Sequence, residues 1–211
     1  MTRKAVVALI LCLGLSVLAG CSSEQLPEEF TQAYTAAYEA ESVSYSGEST
    51  FSGAGETVTN QIQYYACEDQ SMYITSNANA QGDLTIFTLG DQQYAKSSTE
   101  NAWTQVESPS DYTPPWQQST LEEICEGTVS TDWESQDGII TVTLTYEDRT
   151  AVYTVAGGSL MTAEITTTLY TSQQDGSVSP VDYRSVYQLH NSDGEAVRKI
   201  IEANLPPEGF S

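Results

Sequence analysis

The sequence predicts an α+β domain in which a strongly curved antiparallel sheet wraps over an N-terminal amphipathic helix, with a short second helix. Three observations favour this fold. Apolar and aromatic side chains recur every fourth residue near residue 30, which is the spacing of one helix face. Most of the later chain alternates apolar residues with Thr, Ser or Gln, with turn residues at short intervals. A Pro-rich segment divides the strand-like region into two parts.

The first helix is predicted to begin at the Pro-Glu-Glu sequence of residues 27–29 and to run to about Glu41. Proline suits the first turn of a helix, and acidic side chains suit the positive end of its dipole. One face of this helix carries Leu26, Phe30, Tyr34 and Tyr38. Because this stripe is aromatic as well as apolar, we expect it to pack against a concave surface.

The alternating regions predict a series of antiparallel strands. They cover residues 42–52, 56–66, 71–76, 83–89, 92–96, 102–106, 128–136, 139–146, 150–155, 160–170 and 181–190. In the strand at 160–170, Met161, Ala163 and Ile165 are expected on one face. Since the strands have one apolar and one polar face, the sheet is expected to be covered on one side only. Residues 195–203 favour a short helix by propensity, but could also form a last strand.

The break between the two sets of strands is the segment SPSDYTPPWQQ, residues 108–118. Its three prolines exclude a central strand. Thr120 and Glu123 then have the spacing of a capping box, which predicts a short helix through Cys125 that ends at Gly127.

The start of the chain has the pattern of a secretory signal peptide over residues 1–20. Two basic residues precede an uncharged stretch at 5–18, which is too short to span a bilayer comfortably. The following Leu-Ala-Gly-Cys, residues 18–21, resembles the bacterial lipobox. The resemblance implies that Cys21 becomes the lipidated mature N-terminus. Residues 21–25 would then be a short tether, and residues 26–211 a single domain held on the outer surface of a membrane.

Composition limits the classes of partner. The chain has 29 acidic and seven basic residues and a net charge of −22. Such a chain is repelled by nucleic acids and by anionic lipid headgroups, so we expect no nucleic-acid partner and a monomeric protein. No acidic loop of the calcium-binding type is present, and no metal site is predicted.

Two cysteines, Cys67 and Cys125, remain after the signal peptide and the lipidated residue are set aside. In an oxidising compartment we expect a disulfide between them. It would close a loop of about 58 residues, which the chain-entropy model values at about 4 kcal/mol. The alternative is two buried thiols, because spacing alone cannot bring their Cα atoms together.

The order of lipobox, amphipathic helix and long antiparallel meander resembles the LolA/LppX-like superfamily of bacterial lipoproteins and lipoprotein carriers. The segment GDLTIFTLGDQQYAKSSTENAWTQVE, residues 82–107, is similar to a hairpin segment of such proteins. The resemblance implies an unclosed β-barrel whose concave face holds a helix and opens to accept acyl chains. No motif of this chain matches a ligand-binding residue of the family. The predicted lipid anchor is also a difference from the soluble carriers, which lack one.

The sequence has no catalytic signature, so an enzyme is not predicted. A single histidine, His190, lies on a predicted strand among polar residues. The nucleophile and zinc motifs G-x-S-x-G, S-x-x-K and H-E-x-x-H are absent, and no cofactor is predicted. A glycosidase with two carboxylates remains the weakest alternative, because 29 acidic residues leave any such pair unidentified.

Binding is the favoured function, because thirteen tyrosines and three tryptophans offer apolar area with polar tips. We expect a hydrophobic or amphipathic ligand, or else a non-catalytic accessory role in the cell envelope. The second possibility is a protein-interaction module with a filled core and a partner on a sheet edge. The residues expected to line a cavity are Phe30, Tyr34, Tyr38, Val58, Ile62, Tyr64, Ile74, Phe87, Val142, Leu144 and Ile165.

Overall fold

The structure is a computed structural model that describes residues 26–77, 82–100, 102–107, 109–172, 177–190 and 193–205. The predicted signal peptide, Cys21 and the tether lie outside the described residues. Within these ranges, no helix combines the length and the apolar character needed to cross a bilayer.

The first helix forms where the aromatic stripe predicts it, but it ends at Tyr38 and not at Glu41. Its N-terminus follows Pro27, whose carbonyl accepts the Thr31 N–H at 3.0 Å. The capping box is also present, since the Thr120 hydroxyl accepts the Glu123 N–H and the Glu123 carboxylate accepts the Thr120 N–H. The helices are α1 (Glu28–Tyr38), α2 (Pro115–Gln118), α3 (Leu121–Cys125) and α4 (Gly194–Glu202).

Eleven strands of the described chain form one antiparallel sheet. They are β1 (Ser42–Gly53), β2 (Glu56–Cys67), β3 (Gln70–Asn77), β4 (Asp83–Leu89), β5 (Gln92–Ser97), β6 (Thr104–Gln105), β7 (Ser130–Gln136), β8 (Ile139–Thr145), β9 (Arg149–Ala156), β10 (Ser159–Ser172) and β11 (Val178–Leu189). The strand order is β6-β5-β4-β3-β2-β1-β11-β10-β9-β8-β7. The two sequence halves therefore join through β1 and β11, and β6 and β7 stay apart as edges. The sheet is an unclosed barrel, as predicted.

The first core lies on the concave face, where α1 packs against strands from both halves of the sheet. Phe30 and Tyr34 of α1 are fully buried and contact the Tyr153 ring, with ring centroids 5.9 and 5.6 Å apart respectively. Val142 and Leu144 of β8 are also fully buried in this core. One cluster thus takes side chains from β1, β2, β8, β9, β10 and β11, which requires the sheet to curve around the helix.

A second core on the opposite face contradicts the expectation that only one side of the sheet is covered. Residues 194–202 form α4, which places Val197 and Ile201 against the other side of β1, β2 and β3. The cluster contains Cys67, Met72, Phe87, Tyr94, Trp103, Val197 and Ile201. The opposite face is covered because strands β2 to β5 carry apolar side chains on both faces. Ile86 and Phe87, for example, are adjacent in β4 and therefore point to opposite faces, and both are buried.

Two further expectations are wrong. The pairing of β10 with β9 shifts between Leu160 and Thr162, so Leu160 and Ala163 are buried while Met161 is exposed. No disulfide joins Cys67 to Cys125. Both thiols are buried, but Cys67 belongs to the second core beneath α4 and Cys125 belongs to the first core. Folding places the two side chains in separate hydrophobic clusters on different faces of the sheet.

Candidate functional site

The Pro-rich segment, residues 109–118, crosses the concave face of the sheet and is held by side-chain hydrogen bonds at both ends. The buried Gln93 of β5 accepts the Ser110 N–H at 2.9 Å and donates to the Ser110 carbonyl at 2.6 Å. At the other end, Gln117 donates to the Ala40 carbonyl at 2.9 Å. The Tyr34 hydroxyl donates to the Ser119 carbonyl at 2.9 Å. These contacts fix where the segment lies relative to α1.

Trp116 is the centre of this segment and is fully buried. Its ring meets Tyr45 and Tyr187 edge-on, with centroids 5.3 and 5.8 Å away. The indole Nε1 has no hydrogen-bond partner among the described residues. An unsatisfied buried donor costs about 1–3 kcal/mol, so the position is held by packing and not by hydrogen bonding. Trp116 and its two tyrosine neighbours separate two clefts of the concave face.

The first cleft has a volume of about 270 Å³ and lies between α1 and the sheet. We call it the alanine cleft, and it is lined by Ala33, Ala36, Ala37, Ala40, Ser42, Val43, Ser44, Trp116, Gly158, Ser159, Leu160, Leu189 and His190. Ala33, Ala36 and Ala37 lie on one side of α1 and Ala40 just after its end, and their small side chains leave the space open. Eight of the lining side chains are apolar, and Ser42, Ser44, Ser159 and His190 add polar groups to the lining.

The second cleft has a volume of about 290 Å³ and lies between the Pro-rich segment and strands β1, β2, β3 and β11. We call it the tyrosine cleft, and it is lined by Tyr45, Ser49, Phe51, Asn60, Ile62, Tyr73, Asp111, Tyr112, Thr113, Pro115, Gln118, Tyr183 and Tyr187. Six of these side chains are aromatic. The cleft therefore offers ring surfaces together with hydroxyl, amide and carboxylate groups.

Sheet register builds the floor of the tyrosine cleft. Gly47 faces Tyr187 across the β1–β11 pair, and a Cβ at Gly47 would lie 3.2 Å from the Tyr187 ring and 2.8 Å from the Val186 carbonyl. Glycine thus lets the Tyr187 ring lie over β1. Two residues further along β1, the buried hydroxyls of Ser49 and Ser185 are hydrogen-bonded to each other at 2.9 Å.

Three of the cleft tyrosines, Tyr45, Tyr73 and Tyr187, are held in the neutral form. Burial raises the pKa of Tyr45 and Tyr187 well above the usual phenol value, and neighbouring tyrosines raise it further for Tyr45. Burial also raises the pKa of Tyr73. These hydroxyls therefore remain neutral at physiological pH, and none supplies a phenolate nucleophile or base there.

The residues predicted to line a cavity fall into several places. Phe30, Tyr34, Tyr64, Val142 and Leu144 are buried in the first core, and Ile62 lies there and also lines the tyrosine cleft. Tyr38 is half-buried at the edge of this core, beside Leu121. Ile74 and Phe87 belong to the second core, on the opposite face. Val58 and Ile165 are half-buried outside both clusters. The predicted set is thus not one cavity lining.

Several cleft residues escape the sequence analysis, among them Trp116, Tyr112, Asp111 and Tyr183. The signal for the first three is their position in the Pro-rich segment, which combines two aromatic rings and a carboxylate within six residues. The signal for Tyr183 is its two-residue alternation with Ser185 and Tyr187 on β11, which places all three on the concave face.

His190 lies at the rim of the alanine cleft, and its Nε2 is 3.0 Å from the Ser46 hydroxyl. Among the described residues, no group of three His, Cys, Asp or Glu side chains is placed to hold a metal ion.

Comparisons with known proteins extend only to the fold. No family model matches this chain, and no curated protein matches it. Among solved structures, the chain is similar to a LolA superfamily protein from Nitrosomonas europaea, with 9% identity over 83% of this chain and 97% of the other and a TM-score of 0.34. It is also similar to a DUF1329 family protein from Desulfovibrio piger, with 12% identity over 77% and 90% of the two chains and a TM-score of 0.31.

A third similar structure is an S-type phycobiliprotein lyase from Guillardia theta, with 10% identity over 79% of this chain and 93% of the other and a TM-score of 0.29. Scores this low carry no ligand, activity or site residue onto this chain. The expected LolA-like arrangement, an open antiparallel sheet curved over an amphipathic helix, is confirmed by the strand order and packing of the chain itself.

Proposed function

We propose that this chain is a membrane-anchored extracytoplasmic lipoprotein that binds an amphipathic, lipid-like ligand on its concave face, without catalysis. The observation that carries the proposal is the pair of clefts on either side of Trp116. One cleft is lined mainly by small apolar side chains beneath a helix, with serines and His190 among them, and the other is lined by aromatic rings and polar groups. A ligand with an apolar and a polar end matches this division.

The size of the clefts supports a shared ligand. Sites for small molecules have volumes of about 300–1,000 Å³, and each cleft alone lies at or just below the lower end of that range. Trp116 and the tyrosines beside it stand between them. A displacement of α2 that carries Trp116 outward would join the clefts into one groove of ordinary ligand-site size. The proposed ligand therefore requires this segment to move.

The membrane anchor in this proposal comes from residues 1–21 alone, where a short apolar stretch ends at the lipobox-like Cys21. Two acyl chains hold a protein on a membrane stably, whereas one chain does so only marginally. Anchoring would keep the clefts close to a source of lipid. Metabolic labelling with a fatty acid, compared between the natural protein and Cys21→Ser, tests the anchor separately from ligand binding.

A protein-interaction module is the second candidate, and one observation favours it. The first core beneath the sheet is filled, with Phe30, Val142 and Leu144 inaccessible to solvent. The edge strand β7 is meanwhile exposed along nearly its whole length, including Trp133. Such an edge can pair with a strand of another protein.

Native mass spectrometry of the protein purified from membranes tests the leading proposal. The expected result is a species heavier than the protein by the mass of one lipid-like molecule. Titration of the chain beginning at residue 26 with a fluorescent acyl probe gives the matched measurement. Trp116→Ala is expected to raise probe binding because it removes the largest of the three side chains between the clefts, whereas Trp133→Ala on β7 is expected to leave it unchanged. No bound molecule and no probe binding in either variant would favour the interaction module.

A further inference from the structure

The tyrosine cleft has the composition of a site for an organic cation. We infer that it receives an alkylated ammonium group, such as a quaternary amine, as the polar end of the bound molecule. This inference rests on the proposed function in treating the two clefts as parts of one ligand site, but the cation site itself can be tested alone.

Aromatic rings line the tyrosine cleft. Tyr73 of β3 and Tyr112 of the Pro-rich segment are stacked, with centroids 4.3 Å apart and planes at 24°. Phe51 and Tyr183 face each other across the β1–β11 pair, with centroids 4.9 Å apart. Rings from three strands and the crossing segment thus line one space from different sides. Faces of aromatic rings attract cations through the ring quadrupole, and clusters of them bind quaternary ammonium groups.

The lining of the tyrosine cleft also carries one negative charge. Asp111 lines the tyrosine cleft, and its Oδ1 accepts the Thr113 N–H at 2.8 Å, which fixes the carboxylate in the turn. None of the lining residues is basic. Burial raises the pKa of the nearby Tyr64, a hydrogen bond with Ser71 lowers it, and the negative charge of Asp111 raises it. A cation bound in this cleft would be stabilised both by the Asp111 carboxylate and by the faces of the aromatic rings.

The basic side chains of the described chain are engaged elsewhere. Three of them form exposed ion pairs, namely Arg184 with Glu164, Arg198 with Glu68 and Lys199 with Glu195. The other two lie over aromatic rings, Lys96 over Trp103 and Arg149 over Tyr146. The described residues therefore provide no basic side chain for the tyrosine cleft, and the overall charge of −22 attracts cations from solution.

An alkylated ammonium fits this cleft better than a bare metal ion. Calcium takes six to eight oxygen ligands, whereas Asp111 is the one carboxylate in the lining. Alkyl groups on nitrogen would instead contact the rings while the charge remains close to Asp111. The Asn60 amide and the Ser49 hydroxyl also line the cleft and can contact polar groups next to the nitrogen.

Choline and its neutral isostere 3,3-dimethyl-1-butanol give the sharpest test, because the two molecules share a shape and differ in charge. We expect choline to bind the chain beginning at residue 26, and the isostere to bind at least about tenfold more weakly, as followed by NMR titration. Equal affinity for both, no binding of choline, or tighter binding of a neutral sugar such as glucose would overturn the inference.

Two variants locate the site. Asp111 is exposed, and Asp111→Asn removes its charge with little change of shape. This substitution is expected to weaken choline binding about fivefold. Asp137→Asn is the matched control, since it makes the same change of net charge in the distant β7–β8 turn and should leave choline affinity unchanged. Tyr73→Leu should weaken choline binding about two- to fivefold by removing one ring face. Equal effects of the two aspartate variants would show that only overall charge matters, and would refute the site.

The outcome separates this inference from the proposed function. Choline binding that depends on Asp111, without binding of the acyl probe, would support the cation site and reject the lipid-like ligand. Binding of the acyl probe without choline binding would support the lipid-like ligand and reject the cation site.

Discussion

Replacing Trp116 by alanine tests the position of the Pro-rich segment most sharply. The side chain is fully buried between the alanine cleft and the Tyr45 and Tyr187 rings, so removing it takes away both apolar contact and two edge-to-face ring contacts. We expect a large loss of folding stability from this single change, together with the increase in acyl-probe binding described above.

The magnitude follows from opposing contributions. Removing a buried Trp or Phe side chain costs about 3–5 kcal/mol when the surroundings cannot collapse into the space. Ring pairs add about 0.5–1.5 kcal/mol each beyond the area that they bury. The indole Nε1 is buried without a partner among the described residues, and losing it removes a penalty of about 1–3 kcal/mol. The expected net loss for Trp116→Ala is therefore about 4 kcal/mol.

Urea unfolding followed by circular dichroism measures this loss from the shift of the midpoint at an unchanged slope. Trp133→Ala is the matched control, because that side chain is 53% exposed on β7. It should cost less than about 1 kcal/mol. Trp116→Phe should retain most of the stability, since it keeps a ring and removes the unsatisfied donor. A loss below about 1 kcal/mol for Trp116→Ala would refute the buried position of the segment.

Three further predictions test other parts of the structure. Gly47→Ala should lower the free energy of unfolding by about 1–3 kcal/mol, because the new Cβ would lie 2.8 Å from the Val186 carbonyl; an unchanged urea midpoint would contradict the β1–β11 register. Ile201→Ala should lower the free energy of unfolding by about 2–5 kcal/mol, because Ile201 is buried beneath α4. Ile200→Ala should lower it by less than about 1 kcal/mol, because Ile200 is 39% exposed. Equal urea midpoints for the two variants would mean that α4 does not pack against the sheet in this way. Burial, the largest cause in each case, raises the pKa of the core tyrosines Tyr34, Tyr45, Tyr153 and Tyr187. Their contribution to stability is complete below about pH 10, where the unfolded tyrosines are still protonated. It is lost as the pH rises further, by about 1.4 kcal/mol per pH unit for each such tyrosine that stays protonated in the folded state. Urea midpoints measured between pH 8 and 11 should therefore fall above about pH 10, in step with the phenolate absorbance, and a constant midpoint would contradict the burial of these rings.

The sheet could be predicted from the sequence because its signal is local. In β8, the alternation of Ile140, Val142 and Leu144 with threonines indicates a strand with one buried face, and those three side chains are buried. The stripe of Phe30 and Tyr34 indicates the face of α1 in the same way. A hydrophobic repeat of two residues indicates a strand face, and a repeat of 3.6 residues indicates a helix face. In β8 and α1 these local repeats identify the same buried faces as the tertiary structure.

Features that depend on distant parts of the chain could not be predicted. The bulge next to Met161 adds a residue to one strand of a pair, and nothing in the alternation before it indicates where this occurs. The sequence pattern predicts Ile74 and Phe87 on the concave face, because no signal in it indicates that α4 covers the opposite face. The lack of a bond between Cys67 and Cys125 also depends on which face each strand and helix presents.

The clefts themselves were predicted only as a class of site. Their positions depend on where the Pro-rich segment crosses the sheet, which Gln93, Gln117 and Tyr34 determine through hydrogen bonds to backbone groups of residues far away in the sequence. Tyrosines at 45, 73, 183 and 187 come together through the pairing of strands from both ends of the chain.

The central claim is that the concave face holds a molecule with an apolar and a polar end, in clefts that Trp116 separates. Native mass spectrometry of the membrane-purified protein, with and without Trp116→Ala, tests it most directly. The account predicts one bound lipid-like molecule per chain, retained at equal or higher occupancy in the variant. A bare polypeptide mass in both proteins, under conditions that preserve bound lipid in a known lipid carrier, would contradict it.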